Sequence, residues 1–354
     1  MQSAKHEQKQ LDLPLQSCNP AMDTEPVVKE EAVDMKTIQA QTDARDEKAR
    51  CRNDGCDYLA TVNAHPSDAR ADFTESTHTY TVDGEKVTRS GTALVHSVFP
   101  DDFNGREIVD RYYDNWKRKD DPRYARFVQE ATDKDGVVDD ERAKLAILAS
   151  WNEKKNEASS SGTKVHAWME RLLNRSPDEL SAADRGIPEF PTGLEKECKQ
   201  LLDFMQSEFA TSRGLCPVRT ELVTWWKPGW LGKAVSAGQI DALFVDKRGK
   251  HWIFDWKRVG NNKPLDGSDG ERNGYGSGSY SHLQASTLNK YSLQTNLYMH
   301  MAKETHGYDL SPDRLYLVRV HSDRDEYELV KCVDLSQVAE QVLYEESLAR
   351  QNRA

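Results

Sequence analysis

The chain has 354 residues, of which 37% are hydrophobic and 30% are charged, and its formal net charge is −11. Such a length accommodates two domains, or one elaborated domain with a tail. The sequence has no run of 18 apolar residues, so no membrane span is predicted. Its first residues lack the apolar segment of a secretory signal and the acid-poor composition of a transit peptide. We therefore expect an intracellular protein of the nucleus or cytoplasm that is not secreted.

The six cysteines are scattered along the chain, and only Cys51 and Cys56 lie close together. This sparse usage favours a reducing compartment over a disulfide framework, and a zinc or iron–sulfur site has weak support because no second pair follows. The acidic balance does not exclude a nucleic-acid partner, since phosphate binding requires only a local basic patch.

Residues 1–72 are rich in Gln, Lys, Asp, Glu and Ala, with few aromatic residues and no sustained periodicity. A segment of this kind cannot bury enough apolar surface to offset the entropy of ordering, so we predict a disordered, polar tail. Order is predicted to begin at Phe73. The run 79–82, followed by Asp83-Gly84, is typical of a β-hairpin with a tight turn.

Residues 73–160 are predicted to form a helical cover in front of a catalytic core at 161–354. A Ser-Ser-Ser-Gly run at 159–162 is predicted to interrupt the chain between the two. Hydrophobic periodicity predicts helices at about 105–118, 122–132, 139–157, 163–174 and 194–211.

From about residue 218 the sequence changes to short β-branched and aromatic runs. A Gly-, Ser- and Asn-rich segment, 260–286, is predicted to be a long mobile loop. Helices followed by a strand-rich part with one long helix indicate an α/β fold. Strands are predicted at 218–226, 239–245, 251–257, 314–320 and 327–333, and helices at about 287–305 and 336–349.

Acidic residues and a lysine lie on two neighbouring predicted strands. Asp255 and Lys257 project from the same face of one strand because side chains alternate, and Asp241 lies on the partner strand across a short turn. We expect these three side chains to converge on one point, where burial requires ion pairing or a metal. The opposite face is predicted to be buried through Trp252, Phe254 and Trp256.

Two carboxylates at one point form a hard-oxygen site suited to Mg²⁺ or Mn²⁺. An ion there polarises a phosphoryl oxygen and lowers the pKa of a bound water, while Lys257 positions that water or stabilises negative charge. The alternative is a plain Asp–Lys ion pair on a half-exposed strand, which the Asp-x-Lys tripeptide alone would favour.

Two helical pairs add to this pattern. His166 and Glu170 lie one turn apart on one helix face, where His166 is a candidate third metal ligand and Glu170 a ligand or support. Gln294 and Tyr298 have the same spacing after the Gly-rich loop and are candidates for contacts with a nucleic-acid strand. Each pair alone is more typical of a polar helix surface. Glu221, on the preceding strand, either reaches the site or faces solvent.

The order G-T-x-x-H-x-x-x-E, E, G-x-x-D, D-x-K and Q-x-x-x-Y resembles the RecB-type branch of the PD-(D/E)XK nucleases. That branch includes phage lambda-like exonucleases, CRISPR-adaptation nucleases and the mitochondrial genome maintenance exonuclease. The likeness covers about Tyr80 to Leu335. It implies a restriction-endonuclease-like core in which a mixed central sheet is flanked by helices.

The resemblance also implies roles for individual residues. Asp241 and Asp255 would be metal ligands, Lys257 the catalytic lysine, and His166 would complete the metal shell. Glu170 would support that shell, and the pair Gln294 and Tyr298 would orient the DNA and the site.

This sequence differs from the usual motif of the family at two positions. Asp255 stands where many members have Glu, and Ile240 stands where Pro is usual. The four-cysteine iron–sulfur cluster of some relatives is not expected, because only Cys332 follows Lys257. No helicase P-loop motif occurs in the sequence, which favours a free-standing nuclease.

Cations interleaved with aromatic residues in the helical cover suggest a path for a single strand. Lys117, Arg118 and Arg123 are the candidate phosphate contacts, and a solvated helix face is the alternative.

The sequence therefore predicts a Mg²⁺- or Mn²⁺-dependent deoxyribonuclease, expected to be an exonuclease acting on single strands or linear ends in DNA repair or recombination. The alternative is a catalytically inactive nucleic-acid-binding module that retains the nuclease fold.

Overall fold

The computed structural model describes residues 19–20, 57–100, 103–176 and 187–352. Most of the predicted tail therefore lies outside the described residues. Order is observed from residue 57, before the predicted start at Phe73. Leu59 is buried in the main core. Asp68 forms a bidentate ion pair with Arg219, at 2.7 and 2.8 Å, which holds the segment that begins at residue 57 against the sheet.

The first half of the described chain is mainly helical. Its strands are β1 (Asn19–Pro20), β2 (Ala71–Thr74), β3 (Thr79–Val82) and β4 (Glu85–Lys86). Its helices are α1 (Tyr58–Val62), α2 (Gly91–Val98), α3 (Gly105–Arg118), α4 (Ala125–Glu130) and α5 (Asp140–Leu173). The predicted hairpin is present as β3 and β4, with Asp83 and Gly84 both at positive φ in its turn.

The second half carries the central sheet. Its strands are β5 (Cys216–Thr220), β6 (Leu222–Trp226), β7 (Ser236–Ile240), β8 (Ala242–Val245), β9 (His251–Arg258), β10 (Leu315–Val320) and β11 (Glu328–Lys331). Its helices are α6 (Glu195–Gln206), α7 (Glu208–Arg213), α8 (Gly270–Asn273), α9 (Thr287–His306) and α10 (Ser336–Gln351).

Within the described residues the central sheet has the order β1-β5-β8-β9-β10-β11 and is mixed. The pair β9–β10 is parallel, whereas β5–β8, β8–β9 and β10–β11 are antiparallel. Trp252, Phe254 and Trp256 leave one face of β9 and pack with Phe204 of α6, as the alternation of β9 predicts. Helix α9 covers the other face with Met299 and Ala302. The fold is the α/β arrangement predicted from sequence, a mixed sheet flanked by helices.

Two predicted strands are each broken at one acidic residue. The run predicted at 218–226 divides into β5 and β6 at Glu221, and the run at 239–245 divides into β7 and β8 at Asp241. Strands β5 and β8 belong to the central sheet, whereas β6 and β7 pair with each other in a separate two-stranded sheet. Each of the two predicted strands therefore passes from one sheet to the other at an acidic residue. The residue types alone do not indicate this change.

Helix α5 is continuous where the sequence predicts an interruption. The 34-residue helix passes through Ser159–Gly162 without a break. Its C-terminal half buries Val165, Trp168, Met169 and Leu172 in the main core, and this packing outweighs the low helix propensity of the Ser-Gly run. The predicted boundary between cover and core at 160/161 thus falls inside one helix.

The first half of α5, with α3 and α4, forms a helical lobe, which we define as residues 103–158. Its own core is made of Val109, Tyr113, Phe127, Ala131, Ala143 and Ile147, and the cluster contains no residue of the sheet.

Segment 260–286 is organised, in contrast to the mobile loop predicted from its composition. It contains α8, and the buried Asp269 accepts hydrogen bonds from the amide and hydroxyl of Thr287 at the start of α9. Arg319 donates to the carbonyl oxygens of Val259 and Lys263 at its beginning. Within the described residues, no helix is long and apolar enough to span a membrane.

Candidate active site

The two predicted acidic ligands lie on neighbouring strands. The antiparallel register pairs Ala242 with Phe254, which sets Asp241 opposite Asp255. The backbone amide of Trp256 donates to Oδ2 of Asp241 at 2.6 Å. Asp241 and Asp255 are only 4% and 2% exposed, so both carboxylates are removed from water and need positive partners.

Helix α5 brings His166 to the same place. Its Nε2 lies 2.9 Å from the carbonyl oxygen of Trp256. A carbonyl oxygen only accepts, so Nε2 carries the proton and donates it. The lone pair of the neutral ring is then on Nδ1, which lies 3.7 Å from Oδ2 of Asp241. That distance is too long for a hydrogen bond, and both side chains line the same small pocket.

A small pocket lies beside His166 and Asp241, and Asp255 and Lys257 are not among its lining residues. It has room for about one water molecule or ion, and its lining includes His166, Glu170, Thr220, Glu221 and Asp241. Glu221 thus lies in the lining of this pocket. It also has a φ of 54°, a conformation that is uncommon for a residue other than glycine and that is often found at functional sites.

The donor set fits a hard divalent cation, because it consists of one imidazole nitrogen and several carboxylates. The groups are not yet gathered around one point. Within the described residues, no three His, Cys, Asp or Glu side chains are grouped closely enough to hold an ion. Asp255 accounts for part of this, since its Oδ2 lies 2.8 Å from Nζ of Lys257.

Lys257 is buried between the sheet and α9. Its side chain is 7% exposed, and besides Asp255 it lies 3.4 Å from Oε1 of Gln294 and 4.8 Å from the ring centroid of Tyr291. A carboxylate, a carbonyl oxygen and an aromatic face surround its amino group. The residue is therefore held as a localised positive charge beside the acidic pocket.

Gln294 and Tyr298 face the sheet, as a helix pair four residues apart can. Nε2 of Gln294 donates to the hydroxyls of Tyr298 at 3.1 Å and Thr92 at 3.0 Å. The Tyr298 ring lies against two glycines. An added Cβ would come within 2.5 Å of the ring at Gly91 and within 2.3 Å at Gly238, so both positions require a residue without a side chain.

The predicted phosphate contacts of the helical lobe do not line this pocket. Nζ of Lys117 lies 2.6 Å from Asp140, and Arg123 lies 2.7 Å from Asp121. Arg118 donates to the Asn115 side chain. Two of the three cations are therefore balanced by acids next to them, which sequence-based counting of charges does not reveal.

The lobe does carry stacked aromatic rings. Trp116 stacks on Tyr124 with a centroid distance of 4.3 Å and on Tyr112 at 6.1 Å, and Arg123 lies over Tyr124. Tyr112 is 45% exposed.

Sequence reasoning missed Gly91 and Thr92, because α2 was not predicted. The sequence pattern that indicates α2 covers only a few residues. Ser90 accepts from the amide of Ala93 as an N-cap, and Leu94, Val95 and Val98 form the buried stripe of an eight-residue helix.

Comparison with known proteins assigns the class. The sequence model of the PD-(D/E)XK nuclease superfamily matches residues 141–353, more than half of the chain, and the chain belongs to this superfamily. Its members are in general nucleases that use divalent metal ions such as Mg²⁺, which implies a nucleic-acid substrate.

Thirteen chains of solved structures also match. One of them, described as the crystal structure of SSO0001, is 15% identical, with a TM-score of 0.22. The match covers 42% of this chain and 55% of that one. No curated protein sequence matches.

Proposed function

We propose that this chain is a metal-dependent deoxyribonuclease of the RecB-type branch, working as an exonuclease on single strands or linear DNA ends. The observation that carries the proposal is the pocket between α5 and the sheet. There Nδ1 of His166 faces Asp241, with Asp255 on the next strand and Lys257 beyond it.

His166, Asp241 and Asp255 would hold the ion, and Glu170 and Glu221 lie where they can add or orient ligands. A bound Mg²⁺ or Mn²⁺ supplies Lewis acidity toward a phosphoryl oxygen and toward water. The chain's own residues set the geometry: Trp256 fixes both His166 and Asp241 through its main chain, so neither has to be ordered when substrate arrives.

Lys257 performs the electrostatic part of the reaction. Its ammonium has three N–H groups, and it is already oriented by Asp255 and Gln294. In a buried site such a charge stabilises the negative charge that develops on a phosphate during water attack, and it can align that water. Gln294 and Tyr298 hold the lysine and the backbone of the adjacent strand in place.

The helical lobe is the proposed path of the strand toward the pocket. Fifteen residues of α5 separate Trp151 of the lobe from His166, which corresponds to about 22 Å along a straight helix. The exposed Tyr112, at the end of the stack with Trp116 and Tyr124, offers a ring face for an unpaired base, and Lys117, Arg118 and Arg123 offer contacts to phosphates. Because Lys117 and Arg123 already pair with acids, we expect stacking to contribute more to affinity than these charges.

The test is cleavage of end-labelled linear and circular DNA, single- and double-stranded, and of matched RNA, with Mg²⁺, Mn²⁺ or EDTA. We expect metal-dependent loss of linear DNA only, and no cleavage by Lys257→Ala. Lys250→Ala is the matched control, because Lys250 forms an exposed ion pair with Asp309 just before β9, at the end of the strand opposite Lys257.

Three other outcomes would redirect the assignment. Nicking of circles would make the protein an endonuclease, and preference for RNA would change the substrate. No cleavage by folded wild-type protein that still binds DNA would establish an inactive binding module instead.

The role of the lobe is tested separately with Lys257→Ala as a non-cleaving background. Tyr112→Ala should weaken binding of a labelled single strand by roughly 5- to 100-fold, the range for one stacked base. The affinity should also fall steeply with salt if phosphates are contacted. Unchanged affinity in Tyr112→Ala would remove the lobe from the substrate path.

A further inference from the structure

The first turn of α2 contacts Gln294, the neighbour of Lys257, from outside the part of the chain that matches the superfamily. Thr92 lies in this turn, and residues 141–353 are the matched part. The chain before α2 runs beside β7, where Ser90 forms a bridge with Ala237. Gly91 then packs against the Tyr298 ring with no space for a Cβ. Thr92 is therefore placed by close contacts on both sides.

The contact that matters is with the amide of Gln294. Lys257 can only donate, so the Gln294 atom that faces it at 3.4 Å must be the acceptor, Oε1. The amide nitrogen of Gln294 then points away from Lys257, and its two hydrogens need acceptors. Those two hydrogens are accepted by the hydroxyls of Thr92, at 3.0 Å, and Tyr298, at 3.1 Å.

We propose that Thr92 is a positioning residue of this active site: it binds the amide nitrogen of Gln294 and thereby holds the carbonyl oxygen of Gln294 toward Lys257. This inference rests on the proposed function, because Lys257 is the group whose position it controls. Without the Thr92 hydroxyl, one amide hydrogen of Gln294 loses its partner in a buried place, and the amide is free to rotate. An amide hydrogen turned toward the ammonium would then push Lys257 away from its position.

The first experiment compares Thr92→Val, which keeps the shape and removes the hydroxyl, with Thr92→Ser, which keeps the hydroxyl. We expect kcat for DNA cleavage to fall about 10- to 100-fold in Thr92→Val, with KM for DNA nearly unchanged, since a small misplacement of a catalytic group has effects of this size. Thr92→Ser should retain most of the activity. Thr211→Val is the matched control, because the Thr211 hydroxyl bonds only to Ser207 within α7.

A double-mutant cycle separates this role from direct contact with DNA. If Thr92 acts through Gln294, Thr92→Val should have little further effect in a Gln294→Ala background. A full additional loss there would show that Thr92 contacts the substrate itself and would overturn the proposal.

An NMR measurement tests the contact without any use of activity. In protein labelled with ¹⁵N-glutamine, the side-chain signals of Gln294 are identified by their absence in Gln294→Ala. Thr92→Val should shift them and speed their exchange with water, whereas Thr92→Ser and Thr211→Val should not. Unmoved Gln294 signals in Thr92→Val overturn the proposal. If wild-type protein cleaves nothing but the signals move, the contact stands and the nuclease assignment alone fails.

Discussion

Nε2 of His166 donates its hydrogen to the carbonyl oxygen of Trp256, 2.9 Å away, and the amide of the same Trp256 donates to Asp241. One residue of β9 therefore fixes both the imidazole and the carboxylate that face each other across the pocket. A backbone carbonyl on the far nitrogen of a histidine is the usual support for a metal-ligating imidazole, because it fixes the tautomer and the ring plane.

The first prediction follows from this relationship. His166→Ala removes the Nδ1 lone pair, so the Mg²⁺ or Mn²⁺ concentration needed for half-maximal cleavage should rise about tenfold or more. The measurement is a metal titration of the cleavage rate. His321→Ala is the control, since His321 pairs with Asp323 at the surface. An unchanged metal requirement in His166→Ala would show that this histidine is not a ligand.

Gly238 should tolerate no side chain. A Cβ at this position would lie 2.3 Å from Cε1 of Tyr298 in a fully buried place, so Gly238→Ala should destabilise the protein by about 1–3 kcal/mol or more. Gly229→Ala, in the loop between β6 and β7, has no atom within 4 Å of the added carbon and serves as the control. Denaturant unfolding measures both. Equal stability of the two variants would contradict the packing described for Tyr298.

In the continuous helix α5, an added side chain should stabilise the protein rather than destabilise it. Gly162 lies inside the helix, and an added Cβ would meet no atom within 4 Å. Gly162→Ala should therefore stabilise the fold by about 0.5–1 kcal/mol, because alanine is the better helix former. Gly84→Ala is the matched contrast: it has equal space but a φ of 79°, so it should destabilise. If Gly162→Ala lowers the melting temperature, the helix is interrupted at this point.

Three histidines, the buried His306 and the half-buried His251 and His300, predict a loss of stability in mild acid. Burial lowers the pKa of His251, His300 and His306 below the ordinary value, despite neighbouring groups that oppose the shift. The unfolded chain takes up protons near pH 6.5, whereas these side chains stay neutral in the folded state until lower pH. Their contribution is therefore present above pH 6.5 and is lost as the pH falls below it.

The measurement is the free energy of unfolding in urea at pH 7.5 and at pH 5.5. It should be lower at pH 5.5, and the difference should shrink in His300→Gln. The exposed His282, changed to Gln, is the control and should leave the difference as it is. No decrease between the two pH values would contradict the neutral, buried state of these rings.

The acidic residues of the two neighbouring strands could be predicted from the sequence. Side chains of a strand alternate with a period of two residues, so every second one lies on the same face whatever covers that face. Asp241, Asp255 and Lys257 come from this rule, and the register of β8 and β9 places them accordingly. The changes of sheet at Glu221 and Asp241 could not be predicted in the same way. A strand that moves from one sheet to another keeps the same β-branched composition, and the positive φ of Glu221 has no counterpart in its residue type.

Local composition also misled twice, each time by indicating less order than the chain has. The Ser-Gly run suggests a break that the buried C-terminal half of α5 overrides, and segment 260–286 suggests mobility that Asp269 and Arg319 oppose. Helix α2 was too short for its periodicity to stand out. The charges of Lys117 and Arg123 were visible in the sequence, but their partners Asp140 and Asp121 are set by tertiary structure or by a local turn.

The separate core of the helical lobe has a consequence for how this protein can diverge. Its buried cluster draws on α3, α4 and the first half of α5 and includes no residue of the sheet. Surface residues of the lobe can therefore be exchanged without disturbing His166, Asp241 or Lys257. The lobe and the pocket are thus two regions whose sequences can vary independently, although helix α5 connects them.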